Sequence, residues 1–331
     1  MIRAVALMSA GLDSLLAARI ISGMGIEVHG LHCTFRFAFG PGRERPQALA
    51  EKTSAMGIRL HVADVTDPFM DVLRRPEHGF GSAVNPCIDC HLFMIRRARA
   101  LMEELGAAFL VTGEVVGQRP MSQNKPTLFH IEKLAGLKRL ILRPLSAHVL
   151  PVTLPEENGW VDRSRLYGIH GRGRRPQEAL AAEFGITEYA QPAGGCILTD
   201  PFYAGRVKAF IKNRGQESLT PETMLLCRFG RHFWIGNGLW VVIGREEKDN
   251  AALENLSAGR WVFEAEDFTG PTALADTISG PDEAALVASM LARYVNRRTG
   301  DRVRVRASRG DESMRIDASP MDPADLEKWM I

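Results

Sequence analysis

The stretch Arg3-Ala-Val-Ala-Leu-Met8-Ser9-Ala10-Gly11-Leu12-Asp13-Ser14 begins with an apolar run and ends in a short polar turn. Leucine and isoleucine side chains then recur at helical spacing until Gly23. The apolar run predicts a buried strand at residues 3–8, and the recurring positions predict a helix at residues 12–22. A loop that joins a strand to a helix directs backbone N–H groups and the positive helix end towards an anion. This segment therefore predicts an α/β fold with an anion site at residues 9–14.

The alternation of apolar strands and helical patterns continues through the first half of the chain. Further strands are predicted at residues 27–32, 59–63, 108–112 and 140–142, and helices at residues 47–56, 88–105, 176–184 and 203–213. Such alternation is typical of a parallel sheet with helices on both faces. We therefore predict a doubly wound α/β fold of five strands, whose ligands bind beyond the carboxyl ends of the strands.

The character of the chain changes after Gln216. Two aromatic and β-branched runs flank Asn237-Gly238, a dipeptide that predicts a hairpin. A helix near residues 283–296 and strands at residues 302–307 and 314–318 follow. We therefore predict a larger domain at residues 1–215 and a smaller α+β domain at residues 216–331, both within the usual range of domain sizes.

The composition is that of a soluble globular protein, with 45% hydrophobic and 24% charged residues among 331. No apolar run reaches the ~18 residues of a membrane span, and the apolar N-terminus lacks a signal-peptide cleavage site. We therefore expect a cytoplasmic protein with no membrane partner. The net charge of +2 does not by itself indicate a nucleic-acid binder.

The cysteines point to metal binding or catalysis. The chain has an odd number of them at irregular positions, namely Cys33, Cys87, Cys90, Cys196 and Cys227. In a cytosolic protein this pattern argues against a disulfide framework. Cys87 and Cys90 open a predicted helix, where the helix dipole stabilises thiolates, and Cys196 follows two glycines in a predicted bend. Cys33 and Cys227 lie in apolar contexts and are predicted to be buried small hydrophobes.

Three motifs carry a family resemblance. Residues 9–14 resemble the Ser-Gly-Gly-x-Asp-Ser pyrophosphate loop of the PP-loop ATPases, with Ala10 where that family usually has glycine. The stretch Thr112-Gly113-Glu114-Val-Val-Gly117-Gln118, followed by Ser122, resembles a segment of the tRNA 4-thiouridine synthetases. Leu142-Arg143-Pro144-Leu145 resembles the Leu-Arg-Pro-Leu of the same family. The resemblance covers about residues 4–210 and includes neither the THUMP region nor the rhodanese domain of some members.

The resemblance implies ATP-dependent thiolation of tRNA. A uridine carbonyl oxygen would be adenylated, and sulfur would then replace it. ATP, pyrophosphate and Mg²⁺ would be held by Ser9, Ala10, Gly11, Asp13 and Ser14, with Gly113, Gln118 and Ser122 around the adenylate. The implied partners are tRNA and a sulfur donor, either a cysteine desulfurase or sulfide. The choice between a 2-thio and a 4-thio product, and the oligomeric state, with a homodimer as one alternative, stay open.

The role of Cys87, Cys90 and Cys196 as candidate catalytic residues has three interpretations. Three thiolates can hold a [4Fe–4S] cluster with one iron open to a sulfide, which is the interpretation we take first. Alternatively, Cys87 or Cys90 carries a persulfide that Cys196 resolves through a disulfide. A zinc site is the third, with His91 beside Cys90 as a further ligand.

Basic residues mark candidate tRNA-binding positions. The segment from residue 163 to residue 175 contains no acid and holds Arg163, Arg165, Arg172, Arg174 and Arg175. Arginines can neutralise phosphates, although a solvated loop has the same composition. A second group extends this predicted surface, namely Lys133, Lys138, Arg139 and Arg143. The C-terminal domain resembles an NFACT-type RNA-binding domain, with Arg228, Arg231 and His232 near its hairpin, and a packing or dimerisation role is the alternative.

Two other functions fit parts of the sequence. A PP-loop amidotransferase-type synthetase would use ammonia against the adenylate and would not need the three cysteines. A non-catalytic RNA-binding protein with a degenerate nucleotide loop would account for Ala10.

Overall fold

The computed structural model describes residues 1–38, 46–189, 196–236, 238–295 and 302–331. These residues divide into two compact units, Met1–Asp200 and Pro201–Ile331. The helix Pro201–Arg214 belongs to the second unit. The boundary between the units along the chain therefore falls after Asp200, whereas we predict a domain boundary after residue 215. Among the described helices, none has both the length and the apolar character required to cross a membrane.

The first unit is an α/β layer structure. Its elements are β1 Arg3–Leu7, α1 Leu12–Ser22, β2 Glu27–Thr34, α2 Pro46–Ala55, β3 Arg59–Asp64, α3 Thr66–Arg74, α4 Cys87–Glu104, β4 Phe109–Val111, α5 Lys125–Leu134, β5 Ile141–Leu142, α6 Leu154–Glu157 and α7 Arg175–Glu183. The sequence pattern does not predict helices α3, α5 and α6. Helix α4 begins at Cys87, one residue before the prediction.

The strands of the first unit form a parallel sheet in the order β3-β2-β1-β4-β5, which confirms the predicted doubly wound fold. Val5 in the central strand β1 pairs with His29 of β2 on one side and with Leu110 of β4 on the other. The direction of winding reverses between β1 and β4. A crevice forms at such a switch point, beyond the carboxyl ends of the two strands. The segments that follow β1 and β4 are therefore placed at one site.

Buried side chains on both faces hold the sheet. Leu12, Leu15 and Leu16 of α1 have no exposed surface and pack on one face with Val28 and Phe109. Leu92 and Ile95 of α4 pack on the other face with Val5 and Leu110. Full burial of an aliphatic side chain contributes about 1.5–3 kcal/mol, so these helices are fixed firmly on the sheet.

The second unit is α+β. Its elements are α8 Pro201–Arg214, α9 Pro221–Leu226, β6 Arg231–Ile235, β7 Leu239–Ile243, α10 Glu247–Asn255, β8 Trp261–Ala265, β9 Ala273–Ala275, α11 Pro281–Arg293, β10 Val303–Arg309, β11 Glu312–Ala318 and α12 Pro323–Glu327. The strands form an antiparallel sheet in the order β11-β10-β8-β9-β7-β6. Strands β6 and β7 pair as the predicted hairpin, although Asn237 lies outside the described residues. Buried residues of α11 cover one face of this sheet.

Candidate nucleotide and cysteine site

The loop between β1 and α1 is closed by the hydroxyl of Ser14. This hydroxyl donates to the carbonyl oxygen of Gly11 across 2.8 Å and accepts from the backbone N–H of Ser9 across 3.2 Å. Gly11 is the N-cap of α1 and provides no side chain that could cap the helix. Because the first N–H groups of a helix lack partners within the helix, this end of α1 can receive an anion.

Ala10 adopts a left-handed backbone conformation, with φ of +61°, and is buried. Glycine adopts this conformation freely, whereas an L-residue with a β-carbon does so at a cost of about 1–2 kcal/mol. The position thus explains why a glycine is usual in the resembling loop. The alanine keeps the left-handed turn, so its effect is local strain within an intact loop.

Gly113, which follows β4, packs directly on this loop. A β-carbon at Gly113 would lie 2.6 Å from the backbone of Asp13 and Ser14, so no side chain fits there. Gln118 Nε2 donates to Asp13 Oδ2 across 3.1 Å, while the buried Oδ1 has no partner among the described residues. A buried carboxylate oxygen without a partner suits a hard cation such as Mg²⁺. The residues therefore fit a nucleotide with its metal.

A buried ionic network lies under the same crevice. Arg143 Nε donates to Glu114 Oε2 across 2.9 Å, and Arg143 also pairs with Glu132. His91 Nδ1 lies 2.9 Å from Glu114 Oε1. Burial by itself would raise the pKa of Glu114, but the charge of Arg143 and the hydrogen bond with His91 outweigh it and lower the pKa to about 2. Glu114 is therefore ionised at neutral pH.

The prediction that Arg143 extends a tRNA-binding surface is wrong. Its side chain is 2% exposed because the two carboxylates hold it inside the unit. The sequence shows the positive charge of Arg143 but does not reveal Glu132 as its partner. A buried arginine requires a buried acid, and the Leu-Arg-Pro-Leu motif alone does not reveal one.

The predicted cysteines approach one another at the start of α4. The backbone N–H of Val84, three residues before Cys87, donates to the carbonyl oxygen of Leu198 across 3.2 Å. Leu198 in turn lies in the 3₁₀ turn that follows Cys196. Cys196 and Cys87 both raise the pKa of Cys90, so both lie near that thiol. Residues 194 and 195, the predicted glycine bend, lie outside the described part of the chain.

The electrostatics of this group favour a bound cation. Burial, followed by the nearby Cys196 and Cys87, raises the pKa of Cys90 strongly. Cys90 is therefore a neutral thiol at physiological pH unless a positive group compensates for its charge. Asn85 Nδ2 donates to Cys87 Sγ across 3.1 Å and holds that side chain in place. A buried thiol that needs a positive partner, with the thiols of Cys87 and Cys196 near it, fits an iron–sulfur cluster or another thiophilic metal.

Cys33 differs from its prediction, whereas Cys227 agrees with it. Cys227 is fully buried in the second unit, and burial raises its pKa to about 12. Cys33 is half-buried near the carboxyl end of β2, and it also raises the pKa of Cys90, so it lies near that residue. Burial raises the pKa of Cys33 to about 11, so it is a neutral thiol beside the three predicted ones. Strand β2 pairs with β1 in parallel, so its carboxyl end lies at the same edge of the sheet as the loop after β1, a relation that the local sequence does not reveal.

The zinc interpretation requires a tighter arrangement than the structure contains. Ligands about 2.3 Å from a tetrahedral zinc lie within about 3.8 Å of one another. Among the described residues, the only set of three His, Cys, Asp or Glu ligand atoms within 4.8 Å of each other is Glu77, His78 and Asp89. His91 is already engaged with Glu114 through Nδ1.

The segment 163–175 packs against the segment after β4. Val116 and His170 form a β-bridge, and the N–H of Gly171 donates to the carbonyl oxygen of Val116 across 2.7 Å. Arg172 and Arg175 are exposed, and Arg174 is half-buried at the start of α7.

Three further predicted site residues, Arg163, Arg165 and Ser122, form contacts within the first unit or are buried there. Arg163 pairs with Glu156 and donates to the carbonyl oxygen of Ala147 across 2.8 Å, and Arg165 donates to the carbonyl oxygen of Gly23 across 3.1 Å. Ser122 is buried.

His232 of the second unit is not part of an exposed basic patch. It is 1% exposed, and Trp240 Nε1 donates to its Nδ1 across 3.2 Å. Burial and the charge of Arg206 lower its pKa to about 3, so it is neutral. Arg231 lies over the ring of Tyr294, with the guanidinium carbon 4.5 Å from the ring centroid.

Comparisons with known proteins bear on both units. Residues 2–148 match the family model described as thiamine biosynthesis protein (ThiI). Residues 230–330 match the model described as NFACT protein RNA binding domain. Both resemblances that the sequence predicts are thereby confirmed at the level of the domains.

Curated relatives match parts of the chain. It is 35% identical over 144 residues to a probable tRNA sulfurtransferase of Thermus thermophilus, covering 43% of this chain and 34% of that protein. It is 34% identical over 249 residues to the tRNA-specific 2-thiouridylase MnmA of Nitratidesulfovibrio vulgaris (strain DP4), covering 70% of this chain and 64% of that protein. The chain thus spans about one third to two thirds of the length of these relatives.

A solved structure of a 4-thiouridine synthetase in complex with RNA and bound ATP covers 68% of this chain at 19% identity, with 52% of that chain covered and a TM-score of 0.40.

Proposed function

We propose that the chain is an ATP-dependent tRNA sulfurtransferase that adenylates a uridine carbonyl oxygen and replaces it with sulfur. One observation carries the proposal. Gln118 donates to Asp13 of the nucleotide loop, and the charge of its neighbour Arg119 acts on Cys90. Two consecutive residues after β4 therefore connect the loop suited to a nucleotide with the cysteines suited to sulfur.

The nucleotide loop would serve the first step. The uridine oxygen attacks the α-phosphorus of ATP, and pyrophosphate leaves with the electrons of the broken P–O bond. Backbone N–H groups at the start of α1 would hold the pyrophosphate, and Asp13 would bind Mg²⁺ through its unpartnered Oδ1. Gly113 permits the close contact that fixes this loop. The family match over residues 2–148 supports this assignment.

The cysteines would serve the second step. In the two-thiol route, a persulfide on Cys87 or Cys90 attacks the activated carbon, and AMP leaves with the electrons of the C–O bond. The Cys196 thiolate then attacks the cysteine sulfur of the mixed disulfide, which releases the thiouridine and leaves a cysteine–cysteine disulfide. An external dithiol must reduce this disulfide after each turnover.

The cysteine group also fits a [4Fe–4S] cluster, which we propose as the resident cofactor. Cys87, Cys90 and Cys196 would hold it, and when bound it would supply an open iron that can carry sulfide. Asn85 would orient Cys87, and Arg119 would offset negative charge near Cys90. A cysteine desulfurase or sulfide would act as the sulfur donor.

tRNA is the proposed substrate. The exposed Arg172 and Arg175 lie on the segment that the Val116–His170 bridge holds beside the segment after β4. The match of residues 230–330 to an RNA-binding domain supports a second RNA contact. A tRNA-modifying activity would place the protein in the cytoplasm.

Nucleoside mass spectrometry tests the proposal directly. The purified chain with ATP and either sulfide or a cysteine desulfurase and its cysteine should yield 2-thiouridine or 4-thiouridine in tRNA, and the two have different retention times. A deletion strain should lack the same nucleoside. Ammonia-dependent AMP formation that survives loss of all three cysteines would instead indicate an amidotransferase-type synthetase. RNA binding without AMP formation on any tRNA would indicate the non-catalytic alternative.

A further inference from the structure

A cavity of about 550 Å³ lies beside β5, the edge strand of the sheet in the first unit. Its lining comes from α5 and from residues between 138 and 143 and between 147 and 156, and most of it is apolar. Two large apolar side chains of the lining, Phe129 of α5 and Val152, are each 40% exposed. Cavities that bind small molecules have this size and a mainly apolar lining with a few polar groups. The cavity is therefore a candidate site for a small molecule.

The acidic residues of the cavity are already engaged within the fold. Glu132 pairs with Arg143 and accepts from the backbone N–H of Arg139 across 3.3 Å. Glu156 pairs with Arg163 and caps the start of α6. Both carboxylates are buried. Neither of them is therefore free to neutralise a further cation of the lining.

The basic groups of the cavity are not satisfied in the same way. Lys133 and Lys138 line it and are exposed, and neither has a hydrogen bond or an ion pair with another described residue. Arg143 also lines the cavity. Carboxylates hold its Nε and Nη1, whereas its buried Nη2 has no partner among the described residues. Because a buried N–H without an acceptor is costly, and an oxygen atom of a bound molecule would satisfy it, the cavity favours an anion.

We propose that the cavity binds a small aromatic acid, with its ring against Phe129 and its anionic group beside Lys133 and Lys138. Aromatic rings favour one another in offset or edge-on contacts, and Phe129 is an aromatic side chain exposed in this cavity. Two lysines without a counter-ion attract a carboxylate or a sulfonate. The apolar part of the lining would take the body of the molecule out of water.

The apolar lining distinguishes this cavity from a surface for RNA. Lys133 and Lys138 are predicted to extend a tRNA-binding surface, but contacts with a phosphate backbone require no apolar cavity beside the cations. The site uses none of the residues assigned to the nucleotide or to sulfur transfer. It therefore goes beyond the proposed thiolation and would exist whether or not the chain modifies RNA.

Fluorescence titration with anilinonaphthalene sulfonate tests the site on the full chain, because the emission of this aromatic anion rises in apolar surroundings. We expect one equivalent to bind, and neither saturating ATP with Mg²⁺ nor tRNA should displace it. Naphthoate should displace the dye, whereas the neutral naphthamide should bind at least ~10-fold more weakly because it cannot pair with the lysines. Added salt should weaken the binding of naphthoate and leave that of naphthamide unchanged.

Substitutions separate the charges from the ring. Lys133→Ala/Lys138→Ala should weaken naphthoate binding roughly 3–30-fold, the scale of two partly exposed ion pairs, and should remove its preference over naphthamide. Phe129→Ala should weaken the binding of both compounds ~2–10-fold. Lys125→Ala/Lys212→Ala makes the same change in charge at exposed positions outside the cavity and should leave binding unchanged. Since all of these side chains are exposed, the variants should fold, which circular dichroism can verify.

Three results would overturn the proposal. The first is equal binding of naphthoate and naphthamide, or unchanged binding in the variant that lacks both lysines of the cavity. The second is displacement of the dye by ATP or by tRNA, which would place it at the nucleotide loop or on a surface for RNA. The third is no binding at ~1 mM dye. If ultracentrifugation then shows a dimer, a second copy of the chain covers this face instead.

Discussion

The backbone N–H of Val84 donates to the carbonyl oxygen of Leu198, so the segment before Cys87 is tied to the turn after Cys196 by a hydrogen bond of the main chain. The two cysteine segments are more than a hundred positions apart in the sequence. A contact between backbone atoms does not depend on the side chain at either position. The approach of the cysteines is therefore a property of the fold rather than of particular side chains.

The first prediction concerns the nucleotide loop. Asp13→Ala should reduce pyrophosphate release at least ~100-fold, the scale of losing one preorganised contact to a transition state. Ser14→Ala should have a similar effect because its hydroxyl closes the loop. Ser22→Ala removes a hydroxyl from the other end of α1, where it donates to the carbonyl oxygen of Arg19, and should be neutral. Normal turnover in the Asp13 variant would refute the assignment.

The second prediction concerns the strain at Ala10. Ala10→Gly should relieve about 1–2 kcal/mol of left-handed strain, against about 0.5–1 kcal/mol of added chain entropy. The free energy of unfolding should therefore rise by about 1 kcal/mol or less, with pyrophosphate release retained. Gly11→Ala, whose β-carbon would lie 3.3 Å from Ser9 Oγ, provides the contrast and should lower the release. Urea denaturation measures the first effect, and a destabilised glycine variant would contradict it.

The third prediction concerns the cysteines. Protein purified without oxygen should be brown and contain about four irons and four sulfides per chain. Alanine at Cys87, Cys90 or Cys196 should remove most of the iron and all thiolation while ATP binding persists. Cys227→Ala should retain both, since that thiol is buried in the second unit.

Cys33→Ala extends the same test. Cys33 lies near Cys90, but we expect it to be neutral for iron content and thiolation, as the sequence predicts. An iron-free protein that still thiolates tRNA from a persulfide donor would select the two-thiol route. Stoichiometric zinc with full activity in the Cys87→Ala variant would reject both routes.

The fourth prediction concerns acid stability. The pKa of Glu114 is about 2 in the folded chain and 4.5 ordinarily. Because the folded value is depressed, the carboxylate stabilises the fold above pH 4.5, and this contribution is lost as pH falls towards 2. Glu114→Gln should cost about 3–5 kcal/mol at neutral pH, since it leaves Arg143 short of a partner, and the difference should shrink in acid. Glu103→Gln, in an exposed pair with Arg99, should cost less than ~1 kcal/mol at any pH.

The fifth prediction concerns tRNA. Removing Arg172 and Arg175 together should weaken tRNA binding and flatten its dependence on salt by roughly 1.5–2 log units per log of salt. Arg59→Ala/Arg96→Ala makes the same change in charge at exposed positions on β3 and α4 and should leave the slope unchanged. If the salt dependence of tRNA binding were the same for the two double variants, residues 163–175 would be a solvated loop with no role in tRNA binding.

The sequence predicted what depends on local pattern. The period of the apolar residues placed the five parallel strands, and the strand–turn–helix segment placed the loop at residues 9–14. The burial of Arg143 and His232 could not be predicted in this way, because it depends on Glu132 and Trp240, which contact them only in the folded chain. The proximity of Cys33 to Cys90 likewise follows from strand order, which brings together the ends of segments that are distant in sequence.

Gly113 leaves no gap between the segment after β4 and the first turn of α1. Because the two backbones are in contact, neither segment can move closer to the other. If one moved away, it would leave a void unless the other moved with it. The width of the candidate nucleotide site is thus set by main-chain contact. Substitutions of the side chains around this site can change which group is activated, while the width of the loop that would hold the phosphates stays constant.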